Sequence, residues 1–455
     1  MHRWPKFPKN RTCKNNTSNE KAAGQISAPE LDSCASPVLT KNPPGKDTAI
    51  DPFDSICKKI DPETHRLFTY YVHYAHPNTY HTEAKFSQRN KLTFQMDAHI
   101  VVKDSFNDEA NMYTLLASMA SRMKYLDNYG RQRDSAPFVA KAITAIQEQI
   151  RKDKPMTQRM VFNMFQLGTA EFFRWNVSAS VVHLKAIGVL VQHLGGFEAL
   201  HHSLTELIIL GDGYVAAELG ESPIYTAAVL DEENDRHIPP STTRIMDDIV
   251  HGRLEVGSGF LDASMRSTLS ADLRWIIMDI AVSLGVLEDC MGSADSKESS
   301  SKVLHWLHIR YLGIRHRLLA LNLADPDADV IRWSLLIWNF VVFTVAGRQR
   351  TAQIVAERLR DRISLLPPHS WHTRGDVYIW IVSTGASAAK KDSSTSVWFM
   401  KALAATIKES RAPDGADWTF TAFKALHSRF CFLPSVQEAG LLVLWEAVAS
   451  SRDPD

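Results

Sequence analysis

The chain has 455 residues, of which 45% are hydrophobic and 22% charged, and its 51 Lys and Arg residues balance 51 Asp and Glu residues. This composition is typical of a globular protein with one large or two ordinary domains. A net charge of zero argues against a surface that as a whole coats nucleic acid or anionic membrane, although it leaves room for a local basic patch.

Residues 1 to 50 are rich in Pro, Asn, Ser and Lys and lack any apolar period, which predicts a disordered leader. Pro5 and Pro8 stand where a secretory signal needs an apolar segment, so we expect a non-secreted chain. The leader carries a dilute basic run, which is either a nucleic-acid or nuclear-import contact or a solvated tail. Its members are Arg3, Lys6, Lys9, Arg11 and Lys14.

Ordered structure is expected from Asp51 onward. Asp61-Pro62-Glu63 predicts a helix start, because Asp is a favoured N-cap and Pro fits the first helical position. Asp104 or Ser105 is expected to cap a second long helix. Ile100-Val101-Val102 is the only strand candidate.

The stretch from Met156 to Leu219 predicts three apolar-faced helices, since its apolar residues recur at three- and four-residue steps. Gly195-Gly196 is expected to end the second helix and Gly220 the third, because glycine adopts the left-handed conformation at low cost. Ser203, with Glu206 three residues later, matches a capping box at the start of the third helix.

Helical patterning continues to about residue 449, interrupted by a polar loop at 292–301 with the sequence GSADSKESSS. The near-apolar run from Trp333 to Ala346 is too short to span a bilayer and predicts a buried helix, so we expect no membrane association. Most of the eleven tryptophans, Trp275 and Trp338 among them, are expected in the core. The alternative is that some of them line a pocket for an apolar effector.

Several short motifs in this chain resemble the fungal-specific transcription factor domain, the helical region usually found after a fungal six-cysteine zinc cluster. The central motifs are Phe173-Arg174-Trp175-Asn176, His183-Leu184-Lys185-Ala186-Ile187-Gly188, Leu194-Gly195-Gly196, Gly211-Asp212 and Tyr214-Val215-Ala216-Ala217-Glu218. Weaker echoes follow at Trp380 to Ala389, Trp398-Phe399 and Leu444-Trp445-Glu446. The resemblance implies a nuclear regulator, with the cytoplasm as a further location, that acts through transcriptional protein partners or self-association.

The chain departs from that family in its cysteines. Cys13, Cys34 and Cys57 stand about twenty residues apart, and no Cys-x2-Cys pair occurs, whereas two metals in a six-thiolate cage need such pairs. Direct DNA binding by this chain is therefore in doubt. One alternative is a truncated gene model whose upstream exon encodes the cluster.

No motif predicts catalysis, a cofactor or a metal, so we do not expect an enzyme. His305, His308 and His316 share a predicted helix, but no acidic residue accompanies them between Val303 and Leu323. A helical enzyme or small-molecule-binding protein on the same scaffold remains the alternative. The sequence thus predicts an all-α fold, an irregular multi-helix array over residues 51–455 that forms one large globular domain.

Overall fold

Helices make up the architecture, as the apolar periodicity predicts. The computed structural model describes residues 60–77, 98–127, 134–153, 155–231, 235, 238–262, 265, 268–292, 297–343, 349–367, 375–410, 412, 415 and 417–450. Within these ranges the chain forms seventeen α-helices and no β-strand, which confirms the all-α fold class. Residues Lys58–Asp455 form one compact unit. The predicted leader, with its five basic residues, lies outside the described ranges.

The first seven helices include the stretch from Met156 to Leu219, which forms the last three of them. They are α1 (Pro62–Tyr70), α2 (Ala98–Asn107), α3 (Glu109–Ser121), α4 (Ala136–Arg151), α5 (Gln158–Phe173), α6 (Val177–His193) and α7 (His202–Leu219). One π-helical turn, Tyr71–Ala75, continues α1, and another, Arg122–Leu126, continues α3. Short 3-10 turns follow α6 and α7 at Phe197–Ala199 and Ala227–Leu230.

The remaining helices build the C-terminal part. They are α8 (Ser241–Val250), α9 (Ser258–Leu261), α10 (Ala271–Gly292), α11 (Lys297–Ala320), α12 (Pro326–Phe343), α13 (Gln349–Ser364), α14 (Gly375–Ala388), α15 (Ser394–Glu409), α16 (Phe420–Ser428) and α17 (Pro434–Ser450). Because α10 ends at Gly292 and α11 begins at Lys297, the break is shorter than the predicted loop 292–301. Among the helices of the described ranges, none combines the length and apolar character needed to cross a bilayer.

Two predicted helix boundaries are confirmed. The Asp61 carboxylate caps α1 by accepting a hydrogen bond from the Thr64 N–H at 2.7 Å. Gly220 ends α7 with a left-handed φ of 74°, where a side chain would be strained. Local chemistry is sufficient to fix both positions.

Three other local predictions are wrong. Ile100-Val101-Val102 lies in α2 rather than in a strand, with Val101 buried and Ile100 exposed. Asp108, not Asp104 or Ser105, caps α3 and accepts from two backbone N–H groups. The α7 N-cap is His201, whose Nδ1 accepts from the Ser203 N–H at 3.3 Å, so no capping box forms.

The buried apolar residues fall into two clusters. The N-terminal core runs from Leu67 to Val215, and the C-terminal core runs from Ile209 to Val448. Helix α7 is buried on nearly all sides and contributes to both cores, as expected for a helix that is apolar all round. Trp338 lies in the C-terminal core at 0% exposure, whereas Trp275, also expected in the core, is 68% exposed.

Candidate functional site

The three histidines of α11, His305, His308 and His316, are buried, and two of them lie close to acidic residues of α7. The His305 imidazole lies 3.5 Å from the Glu206 carboxylate, and the His316 imidazole lies 3.6 Å from the Asp212 carboxylate. Asp212 also accepts hydrogen bonds from the backbone N–H groups of Ile224 and Tyr225. These contacts tie α7 to its neighbours. Across the described ranges, no group of three or more His, Cys, Asp or Glu side chains is arranged to hold a metal ion.

A cavity of about 100 Å³ lies in the N-terminal core, where α3, α5, α6 and α7 meet the start of α13. Aromatic rings form much of its wall. They are Tyr71, Phe162, Phe165, Phe172, Phe173 and Tyr214. A concave, mostly apolar space with a few polar groups is the usual form of a small-molecule site.

Both π-helical turns reach this cavity. Tyr71 and Ala75 line it from the first turn, and Arg122 and Leu126 line it from the second. The Arg122 Nη1 donates to the Ala75 carbonyl at 3.2 Å, which joins the two turns. Because π-helical turns interrupt the regular hydrogen bonding of a helix and are frequent at functional sites, their convergence here supports a functional role for the cavity.

A buried row of polar side chains leads along α5 toward the cavity. At its first level the Arg159 guanidinium donates to Ser105 Oγ of α2 at 3.3 Å. At its second level Asn163 of α5 donates to the Asn111 amide oxygen of α3 at 2.7 Å and accepts from the Thr114 hydroxyl at 3.2 Å. We call this row the polar ladder. From one level to the next, the residue numbers rise along α5 and also along the facing helices α2 and α3.

The next level of the polar ladder is occupied by Ser118 of α3 and Gln166 of α5, which both line the cavity. Ser118 is 0% exposed and its hydroxyl has no hydrogen-bond partner in the described part of the chain. Gln166 is 5% exposed, and no partner for its side-chain amide is present among the described residues. Buried polar groups are nearly always hydrogen-bonded, so the Ser118 hydroxyl calls for an explanation, whereas the Gln166 amide is not among the fully buried atoms without a partner.

Among the described residues that line the cavity, Glu218 is the one with a carboxylate, and that carboxylate is already bonded to neighbouring side chains. Glu218 of α7 forms a two-bond ion pair with Arg350 of α13, at 2.9 and 2.6 Å, and accepts from the Thr351 hydroxyl at 2.8 Å. The Arg350 guanidinium also lies over the Trp175 ring, 3.9 Å from its centroid. Trp175 itself has a left-handed φ of 68°.

The turn that presents Trp175 is held by Glu171. This carboxylate accepts from the Arg174 guanidinium at 3.1 Å and from the Asn176 amide at 2.8 Å. The motif 173–176 therefore forms the connection between α5 and α6 and positions a ring at the edge of the ion pair. In the sequence, the same residues indicated only apolar helix faces and helix ends.

Two titratable groups on the α6 side are neutral near pH 7. Burial, and to a lesser degree the Asp212 charge, raises the pKa of the Tyr225 hydroxyl, which donates to the Leu184 carbonyl. Burial lowers the pKa of His183, whose Nδ1 lies 3.2 Å from the Met164 sulfur.

Comparison of the chain with protein-family models, with curated proteins and with solved structures finds no match. The resemblance to the fungal regulatory domain stays a prediction. Sequence reasoning missed Ser118 and Gln166, because an isolated polar residue on an apolar helix face carries no motif. The signal available in the sequence was the repeat of polar residues at positions 159, 163 and 166 on one face of α5.

Proposed function

We propose that this protein is a transcriptional regulator of the fungal-specific type, which acts in the nucleus through protein contacts. A DNA-bound partner supplies sequence recognition, since the chain has no paired cysteines for a zinc cluster. One observation carries the proposal: the central motifs of the resemblance fold together as α5, α6 and α7. Six of their residues line the cavity, namely Phe173, Leu184, Gly211, Tyr214, Val215 and Glu218.

This clustering supports a regulatory scaffold. The central motifs contribute to both cores, since Val215 belongs to the N-terminal core and Tyr214 to the C-terminal core, and six of their residues surround one space beside the central helix α7. The buried carboxylates of α7 are engaged by α11 and α13, so a change at the cavity wall can be passed to the C-terminal helices. Such coupling is what a domain needs to change its protein contacts in response to a signal.

A reporter assay tests the proposal. The full chain is fused to an unrelated DNA-binding domain in a fungal host, and transcription from a reporter bearing that domain's site is measured. We expect a change of at least several-fold, up or down, relative to the DNA-binding domain alone. A fusion that is folded, nuclear and bound to the site but leaves transcription unchanged would overturn the proposal.

Nuclear entry is tested separately. Replacing Arg3, Lys6, Lys9, Arg11 and Lys14 together by alanine removes the basic run of the leader. If the run serves import, the tagged protein shifts toward the cytoplasm. An unchanged distribution assigns import to another segment and leaves the leader as a solvated tail.

A further inference from the structure

We infer that the cavity of the N-terminal core is a binding site for a small neutral molecule with an apolar body and one hydrogen-bonding group, which the Gln166 amide receives. The inference goes beyond the proposed function, because such a site can exist whether or not the chain regulates transcription. It rests on three properties of the cavity: its wall, its incomplete polar ladder and its balance of charge.

The wall selects an apolar body. Phe162, Phe165 and Phe172 line the cavity together with Leu184 and Leu207. Contact between these aromatic and aliphatic surfaces and an apolar ligand is favourable, because it removes apolar surface from water. The available space of about 100 Å³ is smaller than the engineered apolar cavity of about 150 Å³ that binds benzene, so a single ring or a short branched chain is the upper limit for the apolar body.

The polar ladder supplies the hydrogen-bonding group. Arg159 and Asn163 find partners on α2 and α3, whereas Gln166, one turn further along α5, has none in the described ranges. A glutamine amide can both donate and accept, so it can receive a hydroxyl, a carbonyl or an amide. Ser118 enters at the same level of α3 and offers a hydroxyl with the same versatility.

The charges select a neutral ligand. Glu218 is paired with Arg350, and the Arg122 guanidinium lies 3.4 Å from the Asp127 carboxylate. An ionised ligand would have to lose its hydration without gaining an uncommitted opposite charge, which is costly. A neutral molecule avoids that cost and leaves both ion pairs intact.

Fluorine NMR on the full chain tests the inference with three probes of one ring each: fluorobenzene, 4-fluorophenol and 4-fluorobenzoate. Probes of this size bind preformed cavities with a Kd on the order of 0.1 to 1 mM. We expect saturable line broadening for fluorobenzene and tighter binding of 4-fluorophenol, because its hydroxyl reaches Gln166. The 4-fluorobenzoate anion is expected to bind more weakly than both.

Two variants make the same chemical change in different places. Gln166→Leu removes the amide from the cavity, and Gln192→Leu removes an exposed amide on the outside of α6. Gln166→Leu is expected to weaken 4-fluorophenol binding by about tenfold while fluorobenzene binding changes less than about twofold. Gln192→Leu is expected to leave both unchanged. Retained fluorobenzene binding also shows that the cavity of Gln166→Leu is folded.

Three results would overturn the inference. The first is no saturable binding of fluorobenzene or 4-fluorophenol to the folded protein, which would leave the cavity to water. The second is preferential binding of 4-fluorobenzoate, and the third is equal 4-fluorophenol affinity in the two variants. Each is independent of the reporter assay, so failure here and failure of the proposed regulatory function are distinguishable.

Discussion

The N-terminal core encloses about 100 Å³ beside Gln166, whereas the pocket found in the C-terminal core, between Ile249 and Ile277, encloses no measurable space. Both cores contain buried polar atoms without a hydrogen-bond partner in the described ranges, such as Ser118 Oγ in the first and Ser383 Oγ in the second. An orphaned polar atom alone therefore does not mark a binding site. We take an orphaned polar atom as a sign of a binding site only where a cavity beside it leaves room for a partner.

Large rings pack closely against each other in the C-terminal core. The Phe260 and Phe430 rings meet edge to face with centroids 4.9 Å apart, and Trp380 stacks on Phe430 at 5.7 Å. Both cores are made of amphipathic or wholly buried helices, and the difference lies in which large side chains face each other.

The largest effect is expected at the junction of the two cores. Glu218→Leu removes the carboxylate that holds Arg350, a side chain only 10% exposed, and leaves its charge buried without its main partner. We expect the free energy of unfolding to fall by about 3–5 kcal/mol, the usual cost of breaking a buried ion pair from one side. Urea denaturation followed by circular dichroism measures it.

The matched control removes both charges. Glu218→Leu combined with Arg350→Met should recover most of the lost stability, since an apolar pair needs no desolvation of ions. If the single variant loses less than about 1 kcal/mol, the ion pair does not join the two cores energetically. The N-terminal and C-terminal cores would then unfold without energetic coupling through this ion pair.

A pH-dependent effect is expected in the closed C-terminal core. Burial lowers the pKa of His427 from its ordinary value of 6.5 to about 4, and its Nδ1 lies 2.8 Å from the Phe423 carbonyl. Between these two pH values the unfolded chain binds a proton that the folded chain does not. Stability contributed by neutral His427 is therefore present above pH 6.5 and lost as the pH falls toward 4.

The gap between the two pKa values corresponds to about 3 kcal/mol. His427→Gln cannot take up that proton, so its free energy of unfolding should fall less steeply than that of the wild type between pH 6.5 and 4. Denaturant titrations at several pH values measure both slopes. Parallel slopes would mean that water or a charge reaches the ring, and that this core is less closed than its packing indicates.

Within the polar ladder of the N-terminal core, the hydrogen-bonded Asn163 can be compared with Gln166. Asn163→Leu deprives Asn111 and Thr114 of a buried partner and should cost about 2 kcal/mol of stability. Gln166→Leu breaks no hydrogen bond within the described ranges, so it should change stability by less than about 1 kcal/mol. Equal and large losses for the two variants would show that ordered water already completes the ladder at Gln166.

Sequence reasoning succeeded where a feature depends on neighbouring residues. Asp61 and Gly220 could be placed at helix ends because capping and the left-handed conformation are local properties. It failed at Ser203 and Glu206, which satisfy the capping-box pattern. There the tertiary pairing of Glu206 with His305 on α11 competes with the local bond, and His201 takes the cap.

The site depended on contacts that no spacing rule contains. His305 and His316 have no acidic residue beside them between Val303 and Leu323, yet α7, about a hundred residues earlier, supplies Glu206 and Asp212. Trp275 and Trp338 looked alike in sequence, but their faces point to solvent and to the core respectively. A helix period reveals that one face is apolar, and it does not reveal which helix covers that face.

The smallest effect is expected from a glycine-to-alanine substitution, which adds one methyl group beside the cavity of the N-terminal core or within the packed C-terminal core. A Cβ on Gly211 of α7 would lie 2.8 Å from Phe165, a ring that lines the cavity and can move into it. A Cβ on Gly385 of α14 would collide with Phe399, which is 0% exposed. Because alanine favours a helix over glycine by about 1 kcal/mol, Gly211→Ala should be nearly neutral. Gly385→Ala should instead cost about 1–3 kcal/mol through overpacking. Thermal unfolding of the two variants measures the difference, and equal losses would contradict the contrast, because the Phe165 ring would then have nowhere to go.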